Sequence, residues 1–520
     1  MSAQAALDRL HLLGSESRPM AGIAPDALAA EVIAVLDHPG FRALPPDQRG
    51  AALFRVLLIY SGSWQAEGRR VIPAAERAFA GLVADAPGNV GALCSGYDCL
   101  FFLYWCWGTS LDEQVGFLTN VAAPFAAAIR ATAPPRAPDS AAAPKGVGYL
   151  AQFVTPGPGN AIAGANRVVL ESLAAQRALG PVFLYAWMFH DPETLAWAEK
   201  LGIQTRAITA NSPGERLATL EAHIRRDRPA VLISDMNASI PTVVYERRAA
   251  PVQILYQFGM PHWPLSNLDG VFRVWDFEPA RAGYDPGRCL TLTIPYDVTR
   301  FALPADPAAL AAERARLPAE WGPGVRLIGT YGRLAKVTPA LVQAAASAIA
   351  DHPDIRVVFG GSGDAHPLRE AIAATGMANR FAVVEGYVDG HLWGHLLDVF
   401  LDTFPTPGGA SCLEVIAKGK PVVSLLTPEA RNLALDQRIA SLRASDAEDY
   451  ARILSRLLAD PAAYRAACEE TRALAAALPS VAGYGADLAA AIARIRRLTL
   501  GEESRMQRLA RGVMGFLRRG

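Results

Sequence analysis

An excess of charge of either sign is what this sequence lacks: across 520 residues, 50 Lys and Arg are matched by 50 Asp and Glu. A chain with a formal net charge of +0 sets up no global field to gather nucleic acid or another polyanion. Its partner is therefore expected among neutral polymers, proteins and metabolites. Paired cysteines are missing as well. None of the 6 Cys stands in CxxC or zinc spacing, and Cys94, Cys99 and Cys106 share one apolar helical stretch, so they read as buried thiols of a reducing, cytoplasmic compartment. The amino terminus has no basic-then-apolar signal pattern, since Asp8, Arg9 and His11 interrupt it, and export is not expected. The most hydrophobic run, Leu100 to Trp107, is too short to cross a bilayer and reads as a core helix. A clean helical repeat is absent too.

What is present is length enough for two or three domains, and a change of texture along the chain. Residues 1–140 carry helix-length apolar periodicity in Ala, Leu and Arg, which predicts an all-helical domain. Its aromatics Phe101, Phe102, Tyr104, Trp105 and Trp107 suit a helical core better than a docking surface. A Pro- and Ala-rich linker follows at Ala133 to Pro144. From residue 141 to 305, strands alternate with helices. The strands are expected at Val147–Phe153, Val182–Trp187, Ile203–Ile208, Val231–Ser234, Val252–Phe258 and Val271–Trp275, as in a doubly wound parallel sheet. Pro295 to Pro318 reads as a hinge. A second such sheet occupies 306–480, with strands from Val325, at Ile355–Phe359, Phe381–Val384, Val399–Leu401 and Val422–Leu425. Residues 481–520 end in a basic amphipathic helix, with arginines from Arg494 onward, that would pack back on the first sheet or lie on an anionic membrane surface.

Two stretches of the second sheet carry chemistry. In Asp398 to Leu425, a short buried strand meets Pro405, Pro407, Gly408 and Gly409, after which Ser411 and Glu414 are spaced as a capping box at a helix start. A glycine turn feeding a helix at the carboxyl end of a parallel strand turns backbone N–H groups toward a phosphate, and Glu414 lies one turn in. An ordinary strand-loop-helix unit has the same signature. The second stretch, Gly329 to Thr338, places Arg333 and Lys336 in the turn after a strand, where cations suit a pyrophosphate leaving group; solvated surface charge is the plainer reading. Gly360, Gly361, Ser362 and Gly363 read as a glycine turn closing the next strand. His391 and His395 are four apart on a short helix, with no third ligand to complete a zinc site.

Together these motifs resemble the nucleotide-sugar half of GT-B glycosyltransferases, and more closely the family of the O-linked N-acetylglucosamine transferases and bacterial cytoplasmic N-glucosyltransferases. The resemblance implies an α/β GT-B fold of two facing Rossmann-like domains behind the helical one. It assigns Lys336 to the diphosphate, Ser411 to phosphate and Glu414 to ribose, with Arg333, Gly408, Gly409 and Ala410 around them and Gly361 beside the base. Ala410 occupies the first of the family's two hydroxyl positions. The run Ala250 to Asn267 is similar to a family loop whose usual histidine positions hold Met260 and Leu265 here.

The acceptor is then expected at the carboxyl ends of the first sheet, along Phe153–Asn160, His190–Asp191, Asp235–Asn237 and Gly259–Asn267. An inverting transfer wants a base within about 3 Å of the acceptor, and His262 is the first candidate, Asp235 the second. No DxD carboxylate pair follows a strand, so neither metal nor cofactor is required. The implied function is an inverting, metal-independent transfer of a hexose or N-acetylhexosamine from a UDP-sugar, with a protein Ser, Thr or Asn as acceptor. The alternatives are a GT-B transferase for a glycolipid or polysaccharide, favoured by the basic tail, and a catalytically silent nucleotide-sugar-binding scaffold, favoured by the missing histidines.

Overall fold

The computed structural model describes residue 8 and residues 24–63, 68–107, 111–132, 144–154, 161–236, 238–257, 267–273, 285–292, 303–322, 324–404, 408–425, 439–478 and 480–501. The linker at 133–143, His262 with its loop, the last strand residues Trp275 and Phe258, and the tail beyond residue 501 lie outside these.

The amino-terminal section is helical as expected, with helices Pro25–Leu36, Pro46–Ser63, Gly68–Asp85, Val90–Trp107, Leu111–Phe117 and Ala123–Thr132. Among the described side chains, aromatics form much of its core. Tyr97 stands 4.5 Å from Phe125 and 5.6 Å from Phe117 between ring centroids, and Phe101 and Tyr104 are buried beside them. The stretch Val115–Thr132 is apolar and long enough to cross a membrane by composition alone. In the fold, Val121, Phe125 and Ile129 are buried in the helical core.

The first sheet is a 7-stranded, all-parallel array in the order β3-β2-β1-β4-β5-β6-β7. Its strands are β1 Val147–Val154, β2 Val182–His190, β3 Gln204–Ala207, β4 Val231–Ser234, β5 Val252–Gln257, β6 Gly270–Arg273 and β7 Cys289–Thr291. The second is a 6-stranded parallel array in the order β10-β9-β8-β11-β12-β13, built from β8 Arg326–Arg333, β9 Ile355–Ser362, β10 Phe381–Glu385, β11 Val399–Leu401, β12 Val422–Leu425 and β13 Arg443–Ala444. The short edge strands β7 and β13 carry too few apolar residues to announce themselves in sequence. The expected hinge at Pro295 to Pro318 contains a helix, Pro307–Arg314, whose Asp306 caps its first turn by accepting from the Ala308 N–H at 3.1 Å.

Both sheets are covered on both faces, which is why their strands read as continuous Val, Ile, Leu and Phe runs. One face of the first sheet, with Leu150, Tyr185, Trp187 and Leu232, shares a single core with the amino-terminal helices. Its other face is closed by helices Ala161–Ala175 and Val481–Leu500. The latter contains the first residues of the basic tail. Ile495 is buried against Gly270, Tyr484 exchanges a 2.7 Å hydrogen bond with Tyr256, and Arg494 donates to the Gly287 carbonyl at 3.1 Å.

The helical section is locked to the first sheet by polar contacts too. Arg130 pairs with the fully buried Glu246 at 2.7 Å. Asp98, from helix Val90–Trp107, accepts from both the backbone N–H and the hydroxyl of Ser239, at 2.8 and 2.7 Å. It thereby serves as the missing cap of helix Ser239–Glu246, whose own N-cap, Ala238, has no side-chain acceptor. Desolvation pushes the Asp98 carboxyl up to about 6, against the opposing pull of the Ser239 bonds.

The folded state thus holds a proton on Asp98 between about pH 4 and 6, where the unfolded chain releases it, so this group makes stability fall as pH rises through that window. Asp98→Asn should flatten the dependence. Urea midpoints at pH 4 and pH 6 are expected to show the parent losing about 1–3 kcal/mol more than the variant between the two; parallel profiles would refute this.

Candidate active site

At the carboxyl edge of the second sheet, β8 runs further than the sequence suggests. Gly329 to Arg333 belong to the strand, and the turn is a single 3-10 turn, Leu334–Lys336. Glycine is what obscured this. A Cβ on Gly329 (φ 156°) would stand 1.8 Å from the Val358 carbonyl oxygen, and one on Gly361 (φ 149°) would stand 1.6 Å from that of Gly332. The glycines therefore mark a close backbone approach of β8 and β9 in a conformation L side chains rarely adopt. For the same reason Gly360 and Gly361 do not form a turn closing β9 but lie within it, with the Trp393 indole packed onto Gly360.

Helix Pro339–Ile349 follows the turn. Thr338 caps it by accepting the Leu341 N–H at 3.3 Å, and its hydroxyl donates to the Phe404 carbonyl at 3.1 Å, joining the β8 turn to the segment after β11. That segment is organised by Asp402, whose carboxylate is buried and accepts from the Gly408 N–H and, at 3.2 Å, from the Cys412 thiol. Tyr450 donates to the Asp402 carbonyl at 3.1 Å from behind. Lys336 lies close enough to feel this carboxylate. It is half-buried rather than the exposed loop lysine a turn position suggests, and desolvation, then the Arg333 charge, push its ammonium down to about 8, while Asp402 opposes the shift. The group remains mostly protonated at neutral pH, in surroundings that favour a further negative charge beside it.

The capping box is corrected. Helix Ala410–Ile416 has Gly409 (φ 68°) as its N-cap, with no side-chain cap bond, and Ser411 is inside the helix, donating to the Gly408 carbonyl at 3.2 Å. Glu414 turns instead to Tyr331 on β8, whose hydroxyl donates to its Oε2 at 2.9 Å. The spacing of Ser411 and Glu414 fits a box, yet a tyrosine on a neighbouring strand took the carboxylate. Gly408, Gly409, Ser411, Glu414, Lys336 and Arg333 are thus gathered at the ends of β8 and β11; the Ala410 side chain is outside the described part.

On the first sheet, the described carboxylates at the strand ends expected to face an acceptor serve the fold. Asp191 caps helix Pro192–Lys200, accepting from the Thr194 N–H at 2.9 Å and its hydroxyl at 2.7 Å. Asp235 is buried. It accepts from the Gln152 N–H at 3.0 Å and from the Asn166 amide at 2.7 Å, while Asn166 in turn accepts from Tyr149 at 2.7 Å. Donors inside the domain engage both oxygens, which fits an anchor for the ends of β1 and β4 better than a base. His190 is half-buried, 3.4 Å from the Ile208 carbonyl. Gln257, the last residue of β5, was not anticipated: it is buried, and among the described residues neither amide atom has a hydrogen-bond partner. Among the described residues, no group of three or more His, Cys, Asp or Glu is gathered as for a metal ion. His391 and His395 stand 4.9 Å apart between rings, with His395 at 2.9 Å from the Leu303 carbonyl.

No family model matches the sequence, and no curated protein matches it. Solved structures do match. A mutant of the O-GlcNAc transferase of Thermobaculum terrenum aligns over 96% of this chain and 99% of its own, with a TM-score of 0.54 and 17% identity. A glycosyltransferase from Rickettsia africae aligns over 69% of this chain and 100% of its own, at 0.51 and 15%. Anabaena Alr3699/HepE in complex with UDP aligns over 67% and 99%, at 0.51 and 15%. The two parallel-sheet domains are therefore those of the GT-B fold.

The strand glycines generate a test of this edge. Gly332 has a φ of 144° but open space around a Cβ, whereas Gly361 has both the strained φ and the collision. Gly332→Ala should cost about 1–3 kcal/mol through backbone strain alone, and Gly361→Ala clearly more, about 3–5 kcal/mol. Equal losses in urea unfolding would show that β8 and β9 are not in this contact.

Proposed function

We propose that the protein is an inverting glycosyltransferase that uses a UDP-sugar, needs no metal, and glycosylates a protein side chain in the cytoplasm. The observation that carries the reading is Lys336, a mostly protonated, half-desolvated ammonium at the end of a buried parallel strand, with Arg333 beside it and a glycine turn and helix start facing it. The fold-mates add weight, since Alr3699/HepE is described in complex with UDP and with UDP and glucose.

In the reaction, the acceptor atom attacks the anomeric carbon from the face opposite the diphosphate, the bond to the leaving oxygen breaks, and UDP departs with the electron pair. Negative charge grows on the diphosphate as that bond lengthens. Lys336 and Arg333 meet this charge in place of a metal ion. Glu414 accepts from the ribose, and the backbone at Gly408 to Ser411 borders the phosphates. His262 takes the acceptor proton, and Asp235 holds the neighbouring ends of β1 and β4. The five described free thiols, all buried, suit a reducing compartment.

UDP release from a panel of UDP-hexoses and UDP-N-acetylhexosamines, with excess EDTA, tests the reading. Turnover of one donor should survive the chelator. Complete loss restored by manganese or magnesium would show that a metal holds the diphosphate, and binding without turnover of any donor would favour the silent scaffold.

Within that assay, Lys336→Ala should lose on the order of a hundredfold in turnover at saturating donor, as removal of one preorganised charge-stabilising group commonly does. Glu414→Ala should instead weaken donor binding with a smaller effect on turnover, because a ribose contact is nearly the same in ground and transition states. A Lys336→Ala protein that turns over at the parent rate would remove the proposed site.

A further inference from the structure

Tyr331 lies within β8, two residues before Arg333, with its side chain buried and its ring in edge contact with Phe400 and Trp393, at 5.3 and 6.4 Å between centroids. A phenylalanine would satisfy that packing. The hydroxyl does something else. It donates to Glu414 Oε2 at 2.9 Å and lies 3.4 Å from the Ser411 carbonyl, so one phenol spans the first turns of helix Ala410–Ile416. The same oxygen is approached by Gly390, where a Cβ would stand 2.1 Å from Oε2. Glu414 Oε2 is therefore seated between a donated hydroxyl and a bare backbone, and a free carboxylate rotor is reduced to one orientation.

We propose that Tyr331 is a positioning residue for the nucleotide: by holding Oε2 over the gap at Gly390, it fixes the Glu414 carboxylate for the ribose hydroxyls and makes the site selective for a ribonucleotide. The inference rests on Glu414 as the ribose ligand. Pre-ordering an ionised acceptor avoids the rotamer cost that binding would otherwise carry, and a hydrogen bond to a charged group is among the stronger ones available. A sequence resemblance cannot reveal this, because the tyrosine lies on a different element, 83 residues before the acid it orients.

Calorimetric titration of the full chain with UDP, 2′-deoxy-UDP and 3′-deoxy-UDP tests it. The parent should prefer UDP by about tenfold or more over the analogue lacking the hydroxyl that Glu414 accepts. Tyr331→Phe, with thermal unfolding as a control on folding, should reduce that preference to about threefold or less while changing affinity for the same deoxy analogue little. Gly390→Ala, which crowds Oε2 from the other side, should do likewise. A merely structural tyrosine would weaken all three ligands alike, and that result overturns the proposal. So does a Tyr331→Phe protein that keeps the full preference while Glu414→Ala loses it. If Glu414→Ala itself keeps the preference, Glu414 is not the ribose ligand, and the proposed donor site fails along with the inference.

Discussion

The buried carboxyl group of Asp402 is the constraint on which the carboxyl edge of the second sheet depends. A carboxyl group removed from water must be compensated by donors and charge, and the Gly408 N–H, the Cys412 thiol and the field of Lys336 are among these. Each compensation places something. The Gly408 bond draws the chain after β11 back on itself, the Cys412 contact fixes the first turn of the following helix, and the attraction to Lys336 counteracts part of the desolvation that would discharge it. Through Thr338 and Phe404 the β8 turn is fastened to the same segment. The cation and the turn that face each other across the site are thus two ends of one polar assembly.

Much of the architecture was legible because parallel strands covered on both faces write themselves as unbroken apolar runs, and ten of the strands fall within a few residues of where those runs place them. What was hidden follows from short or glycine-bearing backbone. Gly329, Gly332, Gly360 and Gly361 look like turn punctuation, yet they are strand residues: Gly329 and Gly361 for the nearness of β8 and β9, Gly360 for Trp393, and Gly332 for its φ of 144°. The edge strands β7 and β13 have no apolar run to show. At the site, residue identity and neighbourhood were readable for Lys336, Arg333, Ser411 and Glu414, but partners were not. The Ser411–Glu414 spacing suggests a local pairing, and the fold gives the acid to Tyr331 instead. Asp235 likewise reads as a reactive carboxylate at a strand end and is taken up by Gln152 and Asn166. Spacing along the chain cannot report a contact made across elements.

The helical section is more than an appendage. Its aromatic core is continuous with one face of the first sheet, and Asp98 completes a helix of that sheet's domain. Helix Ser239–Glu246 is buried throughout, so its first N–H groups have no water to turn to, and a capping acceptor from another section of chain is the physical solution. The loop ending at that cap carries Asp235 and Met236. Movement of the helical section relative to the sheet would therefore be felt at the carboxyl end of β4.

The helix Val481–Leu500 belongs to the end of the chain by sequence and to the first sheet by packing. Tyr484 reaches Tyr256 across a separation of 228 residues, and Arg288 bonds Thr499 across 211. One face of the first sheet is consequently covered only in part, by helix Ala161–Ala175, while the whole second sheet is being synthesised. The earlier half of the molecule is finished last: its closure waits on a segment that leaves the ribosome only after the other half has emerged, so assembly order runs against sequence order. During that interval the apolar side of β5 and β6 that this helix will cover is exposed.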